Sequence, residues 1–178
     1  TGDFNTAVGY QALRTQNRDG TVNNTAVGYK AGYAVTTGYE NVFVGGNSGV
    51  ATTTGFLNTI VGANTAPSLT IGDYNTAIGS KALNSEDVGR GTTAIGYKAL
   101  YSQNSDSNDE ETKNTAVGQE AGYNLLTSTG NTAIGYKALY GSNNGTSHFN
   151  SYGGNTAVGN MAGYAGGLLM QYGVSTYV

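Results

Sequence analysis

One five-residue motif, Asn-Thr-Ala-Val/Ile-Gly, recurs through almost the whole chain and restricts the folds that the chain can adopt. Nine copies occur, and most begin 17 residues after the previous one. Helical repeats need about 33 residues or more for two packed helices and their turns. The short period therefore favours one coil of a β-solenoid. The copies begin at Asn5, Asn24, Asn41, Asn58, Asn75, Thr92, Asn114, Asn131 and Asn155.

The composition supports β-structure rather than helix. The 178 residues include 29 Gly and only one Pro, and the motif adds many Asn and Thr. Gly, Asn and Thr are all poor helix formers, and Gly readily adopts the positive φ that tight corners require. The sequence therefore predicts an all-β protein, a β-solenoid of about nine coils. Each coil would hold two short strands joined by turns at Gly.

The repeat defines the expected domain organisation. Residues 1–166 form one repeat domain, with insertions near 101–113 and 141–154, where the spacing between copies widens to 22 and 24 residues. Residues 167–178 break the repeat. This tail would cap the last coil, lead into a further domain, or add as a strand to a neighbour.

The motif has two faces, and neither carries charge. Side chains alternate across a strand, so Thr6 and Val8 share one face while Ala7 lies on the other. No copy contains a charged residue, and strands covered on both sides have this property. We therefore expect the Val/Ile position to form the core of the repeat. This core comprises Val8, Val27, Val44, Val61, Ile78, Ile95, Val117, Ile134 and Val158.

The expected core is thin. A 17-residue coil encloses little apolar volume, and burial contributes only about 25 cal/mol per Å². Such a core is marginal for a single chain. Self-association through either the Ala/Gly face or the Val/Ile face would bury more surface, so we expect an oligomer.

Charge and cysteine content exclude several classes of partner. The chain has 8 Lys+Arg against 11 Asp+Glu and no basic cluster, which argues against nucleic-acid binding. No apolar run is long enough to cross a bilayer, so no membrane insertion is expected in this segment. The absence of Cys excludes disulfides and thiolate metal sites.

No catalytic or metal-binding constellation stands out, and we expect neither enzymatic activity nor a cofactor. The single histidine, His148, lies beside Ser147 in the second insertion, and no third group recurs nearby. The acidic run at 106–111 lacks the central Gly and the ligand spacing of an EF-hand loop. A solvated surface loop is the simpler interpretation of both segments.

The tyrosines have two possible interpretations, one structural and one functional. The chain has 14 Tyr, and several follow the motif Gly or an Ala-Gly pair. They would either stack as a ladder that shields the coil edge or bind sugars, because an aromatic ring packs on a pyranose. Insertions on repeat scaffolds carry function. The candidate glycan contacts are therefore Tyr101, Tyr140 and Tyr152.

The repeat resembles two known families. The segments Asn-Thr-Ala-Val-Gly-Tyr-Lys-Ala at 24–31 and Asn-Thr-Ala-Ile-Gly-Ser-Lys-Ala at 75–82 resemble the head repeats of trimeric autotransporter adhesins, the YadA-like heads. They are also similar to repeats of phage and bacterial tail-fibre-like proteins. The likeness covers residues 2–165. The chain departs from the adhesin heads in its longer period and in Thr where those heads usually carry Val.

The resemblance implies a left-handed parallel β-roll that assembles as a homotrimer. It also implies an extracellular location, on a virion tail fibre or a cell surface. The expected function is that of a non-enzymatic structural or adhesive segment, which presents loops for attachment to a host or surface. Cell-surface carbohydrate would be the partner, beside the other copies of the chain.

Two other functions fit the repeat. The chain could be a spacer or filament subunit, assembled end to end through its terminal strands. It could also bind ice, because a regular column of Thr on a flat β-solenoid resembles ice-binding proteins. The Val/Ile column on the same face, which needs to be buried, argues against the latter.

Overall fold

The computed structural model describes residues 2–105, 107–108, 110–141, 153–164 and 176–177, and these ranges hold twelve short β-strands. Nine strands coincide with the three middle residues of the motif. These are β2 (Thr6–Val8), β4 (Thr25–Val27), β5 (Val42–Val44), β6 (Thr59–Val61), β7 (Thr76–Ile78), β8 (Thr93–Ile95), β9 (Thr115–Val117), β10 (Thr132–Ile134) and β11 (Thr156–Val158). The others are β1 (Gly2–Asp3), β3 (Gly20–Thr21) and β12 (Thr176–Tyr177).

The nine motif strands and β12 form one parallel sheet of ten strands, arranged in sequence order from β2 to β12. The register between motif strands is constant: Thr6 lies opposite Thr25, and Val8 lies opposite Val27. Parallel neighbours in sequence order require the chain to complete one coil between successive strands. The molecule is therefore an all-β parallel β-solenoid, with no helix among the described residues, which confirms the prediction of an all-β solenoid.

The motif Asn joins successive coils through a column of buried hydrogen bonds, the Asn ladder. The backbone N–H and the Nδ2 of Asn58 both donate to the Oδ1 of Asn41, at 2.9 and 3.1 Å. The Nδ2 of Asn58 also donates to the carbonyl oxygen of Gly72, at 2.8 Å. Both Asn side chains are fully buried. A buried amide must have its hydrogen bonds satisfied, so the ladder fixes the stacking register.

The third motif position, not the fourth, faces the interior of the coil. Ala77 and Ala94 are fully buried, whereas Val8 and Val27 are 57% and 37% exposed. The prediction of a Val/Ile core is therefore wrong for the single chain, because the interior opposite the sheet has room for only a small side chain at most coils. The residues that lie on the outer face instead are Val8, Val27, Val44, Val61, Ile78, Ile95, Val117, Ile134 and Val158.

Two positions in each coil share the volume of the interior. In several coils whose third motif residue is Ala, a leucine four residues after the motif Gly fills the core, as Leu83 and Leu100 do. In the coils of Ala26 and Ala116 that position is Gly, and Val35 and Leu125, three residues further on, lie in the core instead. Where the motif carries Phe43, the position four residues after its Gly is Gly49. A Cβ on Gly32, the equivalent residue one coil earlier, would lie 2.7 Å from Phe43 Cδ2. A large side chain at one position therefore requires a small one at the other.

The half of the coil after the motif Gly is not a second strand, so the expectation of two strands per coil is wrong. Positive φ recurs at every other residue there: +122° at Gly79, 60° at Lys81 and 52° at Leu83. Backbone N–H groups of this half of the coil donate to both neighbouring coils. Lys81 donates to Ala63 of the previous coil at 3.3 Å, and Leu83 donates to Ala99 of the next coil at 2.9 Å. Each coil is thus bonded to both neighbours without a second sheet.

The Asn ladder is interrupted at Thr92, and a buried glutamine bridges the gap. Gln103 Nε2 donates to Thr92 Oγ1 at 3.0 Å and to Glu86 Oε2 at 2.9 Å. Gln103 Oε1 accepts a hydrogen bond from Asn114 Nδ2 at 2.8 Å, where the ladder resumes. Glu86 is fully buried and Gln103 is 1% exposed. Side chains from the wall of the coil thus replace the missing amide.

The other oxygen of Glu86 binds backbone donors from two coils. Glu86 Oε1 accepts from the N–H of Gly89 at 2.7 Å, from Val88 at 3.3 Å and from Ser105 at 3.2 Å. A buried carboxylate requires such partners, because an unpaired charge in the interior is strongly unfavourable. Glu86 therefore holds together the two coils that flank Thr92.

The two irregular segments of the repeat are only partly described. The tail strand β12 pairs in parallel with β11, and Thr176 lies opposite Thr156. The sheet therefore continues by one strand beyond the last motif. In the expected insertion near 141–154, only Gly141, Gly153 and Gly154 belong to the described residues.

Candidate functional site

The outer face of the sheet carries two columns of residues along the whole solenoid. We call this surface the Thr–Val face; it comprises the first and third residues of β2 and of β4 to β11. It contains no charged residue, and its exposed Val and Ile side chains reach 57% exposure at Val8. Nine strands spaced by about 4.8 Å make the face about 40 Å long. Apolar surfaces of this extent are characteristic of interaction sites.

Four tyrosines stack along one side of the coils and form a tyrosine ladder. Their ring centroids are 5.0 Å apart between Tyr101 and Tyr123, 5.0 Å between Tyr123 and Tyr140, and 5.2 Å between Tyr140 and Tyr164. Both faces of Tyr140 are therefore covered by neighbouring rings. A pyranose packs on the face of an aromatic ring. The arrangement of Tyr140 therefore favours the shielding role over the glycan-binding role, whereas Tyr101, at the end of the ladder, stacks on Tyr123 alone among the described rings.

Lysines and a glutamate complete the tyrosine ladder. Lys137 Nζ lies 5.3 Å from the ring centroid of Tyr136 and 5.0 Å from that of Tyr140, within the range of cation–π contact. It also pairs with Glu120 at 3.4 Å. The hydrogen bond with Tyr136 raises the pKa of Lys137, and burial raises the pKa of Tyr140. Both groups therefore keep their protons at neutral pH. The charged groups beside the ladder interact with one another and with its tyrosine rings.

Several candidates from the sequence lie outside the described residues. These are the candidate glycan contact Tyr152, the single histidine His148 with its neighbour Ser147, and Asp106 and Asp109 of the acidic run. In the part of the chain that the structure describes, no three His, Asp or Glu side chains are grouped so that they could hold a metal ion.

A cleft of about 390 Å³ opens on a corner of the solenoid, lined by Tyr74, Arg90, Gly91, Glu111 and Lys113. We call it the Gly91 cleft. Tyr74, Gly91 and Lys113 each directly precede a motif, so they stack one above another in successive coils. Tyr74 and Lys113 carry exposed side chains, whereas Gly91 has none. A Cβ on Gly91 would meet no atom within 4 Å, so the missing side chain leaves the space.

The Gly91 cleft has three charged groups. Glu111 Oε2 lies 2.7 Å from Lys113 Nζ, and Glu111 Oε1 lies 4.0 Å from Arg90 Nη2. The hydrogen bond from Lys113 lowers the pKa of Glu111, and the charges of Lys113 and Arg90 act in the same direction. Glu111 is therefore ionised at neutral pH.

No motif in the sequence contains the residues of this cleft. They fall at three places in the chain, residue 74, residues 90–91 and residues 111–113, which lie 16 and 20 residues apart. The available signal was the column of residues that directly precede the motif. Aligning Tyr74, Gly91 and Lys113 by repeat shows a glycine between two long side chains, and that pattern predicts a gap in the wall.

The fold places the chain in the class of β-solenoid repeat proteins. Comparison with known proteins finds no matching family, no matching curated protein and no matching solved structure. A search of the described residues for a helix that is long and apolar enough to span a bilayer finds none.

Proposed function

We propose that this chain is a non-enzymatic structural and adhesive segment of a trimeric tail fibre or cell-surface adhesin. Three copies pack their Thr–Val faces together, and the outer corners remain free for attachment to a host or surface, with carbohydrate as the ligand. The observation that carries this proposal is the Thr–Val face itself, which is uncharged and regular along nine strands yet exposed in the single chain.

A second copy of the same chain suits this face better than an unrelated partner. Each copy presents Thr and Val at the same interval of about 4.8 Å along the rod, so facing side chains meet at a constant register. The chain has a net charge of −3, but none of it lies on the Thr–Val face, so copies approach there without local repulsion. Burial of the exposed valines would add to a core of small alanines.

The shape of the face supports a trimer. Three residues of extended strand make the face only about 10 Å wide. Two such strips placed face to face would leave their flanks exposed. Three strips around one axis cover the flanks as well, which agrees with the homotrimer that the sequence resemblance implies.

Ile78→Asp should abolish the trimer and leave the coils folded. Ile78 lies in the central strand β7 and is 36% exposed in the single chain. The carboxylate remains hydrated in a monomer, whereas in the trimer it would be buried with its equivalents close to the axis. Mass photometry should show trimers for the unchanged chain and monomers for the variant. Circular dichroism should show the same β-spectrum for both.

Leu126→Asp provides the matched control. Leu126 is 41% exposed and lies in the turn-rich half of its coil, so the same loss of apolar surface occurs away from the Thr–Val face. This variant should remain trimeric. A monomeric unchanged chain would contradict the proposal, and open-ended assemblies that grow with concentration would favour the end-to-end filament instead.

Ice binding is the second candidate, and the exposure of the Thr–Val face is the observation in its favour. A flat, regular array of Thr hydroxyls and Val methyls is accessible in the single chain. Thermal hysteresis, the difference between the melting and freezing temperatures of ice, tests this candidate. A difference that Ile78→Asp removes would favour ice binding over trimer formation, and the absence of a difference would exclude ice binding.

A further inference from the structure

We propose that the two edges of the Thr–Val face meet between neighbouring copies of the chain, and that Tyr97 of one copy occupies the Gly91 cleft of the next. The inference rests on the proposed trimer and specifies which of its residues are in contact. The leading column comprises the residues that directly precede each motif, and the trailing column comprises those that directly follow each motif Gly. Gly91 belongs to the leading column and Tyr97 to the trailing column.

The two columns lie on opposite edges of the sheet in every copy. Five motif residues separate Gly91 from Tyr97, and an extended strand of that length spans about 16 Å. Hydrogen bonds between coils fix both columns. The N–H of Gly91 donates to the carbonyl oxygen of Asp73 at 3.1 Å, and the N–H of Lys98 donates to that of Ser80 at 3.1 Å. Within one chain, the two columns of a coil therefore cannot pack on each other.

The side-chain sizes in the two columns are nevertheless matched inversely, coil by coil. Three coils carry a long residue in the leading column and a small one in the trailing column: Glu40 with Gly46, Leu57 with Ala63, and Tyr74 with Ser80. Two coils carry the reverse pair: Gly91 with Tyr97, and Gly130 with Tyr136. Because the columns do not touch within a chain, contact between copies is the simplest explanation of the match.

A rotation axis parallel to the rod brings the matched residues together. Such an axis places equal coils of all copies at the same height, and the leading column of one copy meets the trailing column of the next in a closed ring. Tyr74 then lies opposite Ser80 of the partner subunit, and Gly91 lies opposite Tyr97 of the partner subunit. A two-fold axis across the rod would reverse the order of the coils and lose the match.

The Gly91 cleft is open to a ring from outside. Its volume is about 390 Å³, and a Cβ on Gly91 would meet no atom within 4 Å. Lys98 Nζ lies 5.3 Å from the ring centroid of Tyr97, yet Tyr97 remains 44% exposed in the single chain. Tyr74 lines the cleft and is 54% exposed. The ring of Tyr97 of the partner subunit can therefore pack on that of Tyr74, as aromatic pairs do.

Gly130 repeats the arrangement two coils further along the rod. It is exposed, and the nearest atom to a Cβ there would be 3.6 Å away, an ordinary contact distance. Tyr136 of the partner subunit, a residue 42% exposed in the single chain, has its place there. The trailing column contains no charged residue, so it brings no charge against the ionic groups of the leading edge.

Two coils depart from the match. Phe4 and Tyr10 are both large, and they belong to the coil of β2 at one end of the sheet. Lys113 and Gln119 are both long, but both are exposed and flexible. The match therefore rests on the coils of β5 to β8 and of β10.

The first test exchanges the sizes of one pair and measures trimer formation by mass photometry. Gly91→Tyr fills the cleft, and Tyr97→Ser removes the ring that enters it. Each should raise the concentration at which half of the chains are trimeric by at least about tenfold. The double variant G91Y/Y97S reproduces the pair of Tyr74 and Ser80, so it should return this concentration to within about threefold of that of the unchanged chain.

The variants should keep the fold of the single chain. Tyr74 occupies the leading position at a φ of 58°, so a tyrosine at position 91 fits the backbone. Ser80 occupies the trailing position in the coil before Tyr97. Circular dichroism should show the same β-spectrum for all four proteins. Losses that add up in the double variant, in place of recovery, would overturn the proposed contact.

A cross-link tests the height of the contact without changing Gly91 or Tyr97. The chain has no Cys, so Lys113→Cys with Gln119→Cys supplies one thiol in each column of the same coil. A bismaleimide too short to span the strand, about 16 Å, should join neighbouring copies into covalent trimers on a denaturing gel. In the control, Lys113→Cys with Tyr29→Cys, the thiols lie five coils apart, about 24 Å along the rod. The control should give no covalent trimer.

The outcomes separate this contact from the trimer itself. Trimers in mass photometry that the reagent does not join through positions 113 and 119 would contradict the contact and leave the trimer standing. Dimers in mass photometry, with covalent products that stop at the dimer, would contradict the trimer and leave the contact standing. An unchanged chain that remains monomeric would contradict both.

Discussion

Gly79→Ala should destabilise the chain by about 3–5 kcal/mol, a very large effect for the addition of one methyl group. Gly79 has a φ of +122°, a conformation that L-residues with a Cβ rarely adopt. The added Cβ would lie 2.6 Å from the carbonyl oxygen of Gly96 and 2.7 Å from its carbonyl carbon. These are backbone atoms of the next coil. Relief of the clash therefore requires the coils that carry β7 and β8 to separate.

Gly91→Ala is the matched control for that substitution. Gly91 also has a positive φ, +73°, but a Cβ there meets no atom within 4 Å. The expected cost is only about 1 kcal/mol, from the left-handed backbone alone. Urea unfolding followed by circular dichroism measures both variants. Equal losses of stability would show that backbone strain, and not the contact between coils, limits the motif glycine.

Stability in a solenoid is the sum of coil and interface contributions, so Gly79→Ala should also change the shape of the transition. The interface between β7 and β8 lies in the middle of the sheet. Weakening it should divide the molecule into two parts that unfold at different urea concentrations. A single transition at a lower midpoint would instead show that the coils unfold as one unit.

The stacking of β coils could be predicted because the same motif recurs at a nearly constant spacing. A period of 17 residues excludes paired helices, and the motif Asn and Gly have functions that recur in most coils. The buried side-chain amide of Asn58 donates to Asn41 Oδ1 of the previous coil and accepts from the backbone N–H of Asn75 in the next coil. Gly79 allows the next backbone to approach. These requirements are local, so each copy of the motif predicts the same local structure.

The inner face of the sheet could not be predicted from the motif alone. Alternation puts Ala77 and Ile78 on opposite faces, but neither face carries charge, so polarity does not identify the interior. The pairing of a large side chain at one position with a small one at another does identify the interior. Phe43 has Gly49 as its partner in the same coil, and a Cβ on Gly49 would overlap with the Phe43 ring. Only the third motif position can therefore face inward.

The Gly91 cleft and the Glu86 network depend on departures from the repeat, which a consensus conceals. Gly91 matters because a side chain is missing there, and Glu86 matters because Thr92 replaces Asn one coil later. Both lie beside the coil with a 22-residue spacing. A longer coil has different side chains available for its walls, so polar groups could enter the interior there. The residues of neighbouring coils that contact these polar groups could be identified only from the register of the coils in the structure.

Glu86→Ala should destabilise the chain by about 4 kcal/mol. The fully buried carboxylate accepts hydrogen bonds from the N–H of Gly89 and Ser105 and from Gln103 Nε2, at 2.7, 3.2 and 2.9 Å. Each buried donor left without an acceptor costs about 1–3 kcal/mol. The alanine also leaves a cavity beside Gln103. Urea unfolding should show the loss, and a change below about 1 kcal/mol would mean that water replaces the carboxylate.

A substitution that keeps the shape of Glu86 but removes its charge tests the directions of the hydrogen bonds in the network. In Glu86→Gln, an NH2 group replaces Oε2 and faces the NH2 group of Gln103, so two donors meet. If Gln103 turns over, its oxygen moves away from Asn114 Nδ2, which it binds at 2.8 Å. The single variant should therefore lose about 2 kcal/mol.

The double variant E86Q/Q103E should recover about half of that loss. The new amide at position 86 can donate to the new carboxylate at position 103, which still accepts from Asn114. The donor to Thr92 Oγ1 is not restored, so recovery remains partial. A double variant no more stable than Glu86→Gln would show that the contact between the two side chains contributes nothing. In that case, the backbone donors of Gly89 and Ser105 alone would explain why a carboxylate is buried at this coil.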